Sequence, residues 1–133
     1  MREILILGSL PSNRAEEKLY EAMVDVCKNY AEVVCSPIDT AKFKGDDRQR
    51  YDRALQKVEN ADLIIGEQTR PSTGQGMEIG YAINLKKPIV VVAEEGSKVS
   101  GLVRGCPIVR DILYYNSVGD LETKLSKFLE TYQ

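Results

Sequence analysis

Ile4, Leu5, Ile6 and Leu7 form an apolar run without alternation, the pattern of a strand covered on both faces, and predict a first strand over residues 3–7. The run breaks at the loop residues 8–14. Leu19, Met23, Val26 and Cys27 then recur at helical spacing, with Glu16, Glu17, Asp25 and Lys28 on the other side, which predicts a helix over about residues 14–29. A short strand follows over residues 32–35 and ends at Ser36 and Pro37. Residues 38–47 mix charge with Gly45 and show no period, so an exposed connection is expected there. Tyr51, Leu55 and Val58 mark a helix that ends near Asn60. The remaining pattern predicts a strand over residues 62–65, a helix over 76–85, strands over 88–93 and 112–115, and a closing amphipathic helix over 121–132.

Strands that alternate with helices over the whole length predict a parallel sheet, because parallel neighbours need crossover connections. The expected architecture is one α/β domain spanning residues 1–133, built on a flavodoxin-like (Rossmann-like) five-stranded parallel sheet of order 2-1-3-4-5 with helices on both faces. In such sheets ligands bind beyond the carboxyl ends of the strands where the order reverses, here between the first and third strands. That places two loops at the expected site, residues 8–14 and residues 66–78.

Composition narrows the chemistry. With 18 Lys and Arg against 20 Asp and Glu, the net charge is -2, and the cations form no block able to hold a nucleic-acid polymer. Histidine is absent, which removes Ser-His-Asp, Cys-His and His-rich zinc chemistry, and neither a metal nor a cofactor is expected. Cys27 and Cys35 read as core thiols, and Cys106, beside Pro107, has only Arg104 as a basic neighbour. No apolar run is long enough for a signal peptide or a membrane span, so a cytoplasmic protein without membrane partners is the expectation.

The second loop carries the candidate chemistry. Pro71, Ser72, Thr73 and Gly74 lead into a helix and offer hydroxyls, flexible backbone and unpaired amide N–H groups, which suit an anion such as phosphate. An ordinary N-cap, with Ser72 or Thr73 accepting from the first turn, accounts for the same residues equally well. Glu78 follows in the first helical turns, with Gln75 and Tyr81 three residues either side and on its face. Its carboxylate either serves the crevice or simply favours the positive end of the helix.

Residues 61–82, containing the motif from Pro71 through Ser72, Gly74, Gly76 and Glu78 to Gly80, resemble the signature of the nucleoside 2-deoxyribosyltransferase superfamily, especially its 2'-deoxynucleoside 5'-phosphate N-hydrolase branch. Gly8 and Ser9 with Arg14 resemble that family's Gly-Ser loop. Residues 100–105 resemble a later segment whose serine reaches a neighbouring subunit's phosphate site. The resemblance implies hydrolysis of the N-glycosidic bond of a small-molecule nucleoside 5'-monophosphate by a homodimer. It puts Glu78 at the catalytic glutamate position, Ser72 and Ser100 at the phosphate-binding serines, and Gly8 and Ser9 beside the sugar. Arg14, Thr73, Gly74 and Gly76 complete the expected substrate-binding set.

Glycosidic cleavage passes through an oxocarbenium-like state that a carboxylate can stabilise or trap, while a second group protonates the departing base. Glu78 suits the first role. For the second, the family's usual aspartate is Ala54 here, and its usual first-strand tyrosine is Leu5. Asp52 points about 200° away from position 54 on an ideal helix. Tyr51, one turn before Ala54, and Glu67, at the end of its strand, are the remaining candidates, with a core-edge ring and a salt bridge to the N-terminal loop as their structural alternatives. Two other readings stay open: a deoxyribosyltransferase, for which the phosphate-position serines have no use, and a nucleotide-binding protein without turnover.

Overall fold

A computed structural model describes residues 1–132. The elements run β1 (Glu3–Leu7), α1 (Arg14–Cys27), β2 (Val33–Cys35), α2 (Pro37–Lys42), α3 (Asp47–Asn60), β3 (Leu63–Glu67), α4 (Thr73–Asn84), β4 (Ile89–Glu94), α5 (Gly101–Arg104), β5 (Val109–Tyr115) and α6 (Val118–Tyr132). All paired strands are parallel and the sheet order is β2-β1-β3-β4-β5. The order therefore reverses between β1 and β3.

Two cores explain the unbroken apolar runs. Ile4, Ile6, Leu63, Ile65, Val90 and Val92 pack on one face, under α1 and α6. Leu5, Leu7, Ile64, Ile89 and Val91 pack on the other, against Val58 of α3 and Ile79 and Ala82 of α4. The central strands β1, β3 and β4 are buried on both sides, and each large aliphatic side chain so covered contributes on the order of 2 kcal/mol. Among the described residues no helix is long and apolar enough to cross a membrane.

Residues 38–47 are not only a connection, because α2 occupies their first half. Ser36 caps it reciprocally: Ser36 Oγ accepts from the Ile38 N–H at 3.2 Å, and the Ser36 N–H donates to Asp39 Oδ2 at 2.8 Å. Pro37, at the first helical position, presets the backbone. Ser36, Pro37 and Asp39 were the legible signal, hidden by the lack of an apolar period in a six-residue helix. The four-residue α5 is shorter still and shows no period. α4 begins at Thr73, three residues earlier than expected, because Gly74 and Gly76 mask its first turn.

Candidate active site

At the reversal of strand order, a cleft of about 400 Å³ opens between the end of β1, α3 and the first turns of α4. Its floor is Gly8 and Ser9. The Tyr20 hydroxyl donates to the Ser9 carbonyl at 2.7 Å, and it lies so close to Gly8 that a Cβ there would collide with it. The glycine is thus required by a close approach, and the loop is fixed to α1. A second tie reaches the first loop through α1: Arg70 pairs with Glu16 at 3.7 Å, and Glu16 accepts from the Ser12 N–H at 3.1 Å.

The start of α4 is held as tightly. Ser72 Oγ accepts from the Gln75 N–H at 3.2 Å. The Gln75 side chain, 1% exposed, donates from Nε2 to the Glu67 carbonyl at 3.1 Å, and its Oε1 accepts from Gln68 Nε2 at 2.6 Å. The two sequence readings of Ser72 are compatible. Its oxygen caps the helix, and its hydroxyl hydrogen remains free to donate into the cleft that it lines.

Glu78 lies six residues further along α4, half-buried in the same cleft, and is the single carboxylate among the described residues lining it. Burial pushes its carboxyl up to about 7, while the Arg53 guanidinium pulls the other way. A carboxyl poised near neutrality in a cleft is a hallmark of acid, base or nucleophile chemistry.

Facing it, α3 contributes Arg50, Arg53, Ala54 and Lys57, one stripe at helical spacing. None of these three cations pairs with a carboxylate among the described residues. Arg53 is held by its Nη1 donating to Thr40 Oγ1 at 3.2 Å and by its position 5.2 Å over the Phe43 ring. Sequence reasoning missed the stripe. The i, i+3, i+7 spacing was visible, but a charged face is usually a solvated one.

Several expected site residues lie elsewhere. Tyr51 does not line the cleft. It is 48% exposed and lies about 110° around α3 from the centre of the cationic stripe, on the side that carries Leu55 and Val58. Glu67 is 3% exposed and already engaged. Its carboxylate accepts from the Thr69 N–H at 2.7 Å, from Thr69 Oγ1 at 2.8 Å and from the Tyr115 hydroxyl, not from a cation of the N-terminal loop. It organises the end of β3 and does not face Glu78's cleft. Arg14 is exposed and pairs with Glu21 at 2.7 Å. Thr73 is exposed on the first turn of α4, whereas Gly74 lines the cleft. Ser100 caps α5, its Oγ accepting from the Leu102 N–H at 3.3 Å. With Gly76 it lines a second, mostly apolar depression of about 370 Å³ on the other side of α4, and Ser72 lies on both rims. Leu5 and Ala54 both line the Glu78 cleft, so the two substitutions noted in the sequence fall inside it.

The chain is similar to several known proteins over most of its length. Rat 5-hydroxymethyl-dUMP N-hydrolase is 27% identical over 139 aligned positions, covering 97% of this chain and 85% of that protein. The CMP N-glycosidase of Clostridium botulinum superposes with a TM-score of 0.71 at 20% identity, covering 93% of this chain and 98% of the other. A 2-deoxyribosyltransferase from Bacillus psychrosaccharolyticus gives 0.67 at 16% identity, covering 92% and 95%. These two structures share the fold. Residues 7–122 match the sequence profile of nucleoside 2-deoxyribosyltransferases, and the chain belongs to that family.

Proposed function

We propose that this protein hydrolyses the N-glycosidic bond of a nucleoside 5'-monophosphate, releasing the free base and the sugar 5-phosphate. The observation that carries the reading is the pairing of a half-buried carboxyl at Glu78, raised toward neutrality, with an anion-ready helix start at Ser72 in one cleft. The 5'-phosphate is received by the Ser72 hydroxyl and the first amides of α4, beside Gly8 and Ser9. Glu78, as the carboxylate, then offsets or traps the positive charge that develops at the anomeric carbon, and water completes the hydrolysis. The rat N-hydrolase, similar over nearly the whole chain, supports a phosphorylated substrate and water as acceptor.

The functional unit in this reading is a homodimer, with Ser100 completing a neighbour's phosphate site. Leu102 is 89% exposed and Met77 62% exposed around α5 and α4, apolar surface that suits a second copy. The three cysteines are unpaired, which suits a reducing compartment, and we place the protein in the cytosol.

Base release from a panel of nucleoside monophosphates and the matching nucleosides, followed by chromatography alongside binding, tests the proposal. Release confined to the monophosphates is the expected result. A second reading, nucleotide binding without turnover, is favoured by the apolar Ala54 and Leu5 in the cleft, and tight binding without release identifies it. Passage of the sugar to an added free base identifies a transferase instead.

A further inference from the structure

Among the described residues the cleft is lined by one carboxylate and by three cations not paired with a carboxylate, an unusual balance for a reaction commonly assisted by a proton donor on the leaving base. Along α4, Glu78 lies six residues beyond Ser72, about 9 Å on the helix axis. With the phosphate at Ser72 and the anomeric carbon at Glu78, the base occupies the part of the cleft walled by α3, Thr40 and Phe43. Among the described residues no carboxyl other than that of Glu78 lines it, and α3 presents the methyl of Ala54 there between its cations. Arg53 is fixed there before any ligand arrives, by Thr40 and by Phe43. Prepaid orientation of this kind lets a charge stabilise a transition state without reorganising at the moment of reaction.

Resting on the hydrolase reading above, we propose that the cationic stripe Arg50, Arg53 and Lys57 stabilises a base that departs as an anion, in place of a general acid, and so restricts the enzyme to bases that carry negative charge well at the glycosidic nitrogen. The C1'–N bond breaks with its electron pair passing to the base. Glu78 offsets the positive charge left on the sugar. Water adds at C1', and the proton that it loses is taken up by the base anion, so that nucleotide and water become free base and sugar 5-phosphate. Oxo-pyrimidines with two carbonyl groups meet the requirement. Cytosine, a much weaker acid at that nitrogen, leaves readily only after protonation and does not. Arg53, oriented in the base end of the cleft, is the principal catalytic cation.

The test is a leaving-group series on the intact protein: dUMP, its 5-fluoro and 5-bromo derivatives, and dCMP. The rate should rise with the acidity of the leaving base, and dCMP should turn over at least a hundredfold more slowly than dUMP. Arg53→Gln should lower kcat about a hundredfold, steepen the dependence on leaving-base acidity, and leave the preference of binding for dUMP over deoxyuridine intact, with Arg53→Lys recovering part of the rate. Ala54→Asp, which supplies a carboxyl beside the base, should raise the rate on dCMP relative to dUMP. Equal rates for dUMP and dCMP, with hydrolysis present, overturn this inference alone. Collapse of the monophosphate preference in Arg53→Gln also overturns it, since the stripe then holds phosphate. Absence of base release from every monophosphate overturns the hydrolase reading itself, and this inference with it.

Discussion

Glu78 ionises against its surroundings, and both activity and stability should record it. Its carboxyl, raised from 4.5 to about 7 by burial, is still protonated in the folded protein at pH values where the unfolded chain has released the proton. If the carboxylate is the working form, kcat/KM rises with pH through about 7. Stability runs the other way. The folded state binds the extra proton between 4.5 and about 7, so stability falls as pH rises through that window. Glu78→Gln should therefore raise the melting temperature at pH 8 and change it little at pH 4, while lowering kcat about a hundredfold or more with nucleotide affinity nearly unchanged. Differential scanning calorimetry and base-release kinetics read the two arms separately, and a variant neutral in both would reduce Glu78 to an ordinary helix-start carboxylate. Ser72→Ala should weaken binding of the 5'-monophosphate and spare the nucleoside, at a cost in folding stability of about 1 kcal/mol for the lost cap.

At the scale of elements, α4 carries both the chemistry and a test of what covers its outer side. A Cβ at Gly80 would meet nothing within 4 Å in the single chain. Gly80→Ala should stabilise the monomer by about 1 kcal/mol through helix propensity, read by urea unfolding at low concentration, unless a second copy packs there and is pushed away. Gly8→Ala should do the opposite, because the added methyl displaces the Tyr20 hydroxyl from Ser9. Much of this level was legible in the sequence. The strands announced themselves because burial on both faces removes polar residues from them, and Glu78, Ser72, Gly8 and Ser9 stood next to strand ends that a reversed sheet must bring together. The helix rotations were not legible. Tyr51 and Arg50 are adjacent in sequence, yet only Arg50 lines the cleft, and a charged stripe has the same spacing whether water or a ligand fills the space before it. The partners of Glu67 were illegible for a related reason: Tyr115 lies 48 residues away and enters only when β5 is folded.

For the whole molecule, assembly is the property most open to measurement. Leu102, nearly fully exposed on α5 beside the Ser100 depression, is the side chain most poorly suited to a monomer surface. Sedimentation should show a dimer at micromolar concentration, and Leu102→Glu should shift it to monomer and weaken monophosphate binding if Ser100 serves a neighbour. A folded wild-type monomer with full binding would contradict this. The α3 stripe has one more consequence, felt before any ligand is bound. The chain carries a net charge of -2, yet the cleft has three cations and one carboxylate, so a locally positive mouth is set in an acidic body. A dianionic ligand is guided to that mouth and repelled by much of the remaining surface. The encounter rate should therefore fall steeply as salt rises from about 10 mM to 150 mM, where the Debye length shrinks from about 30 Å to 8 Å, while the residence time of the bound ligand changes far less.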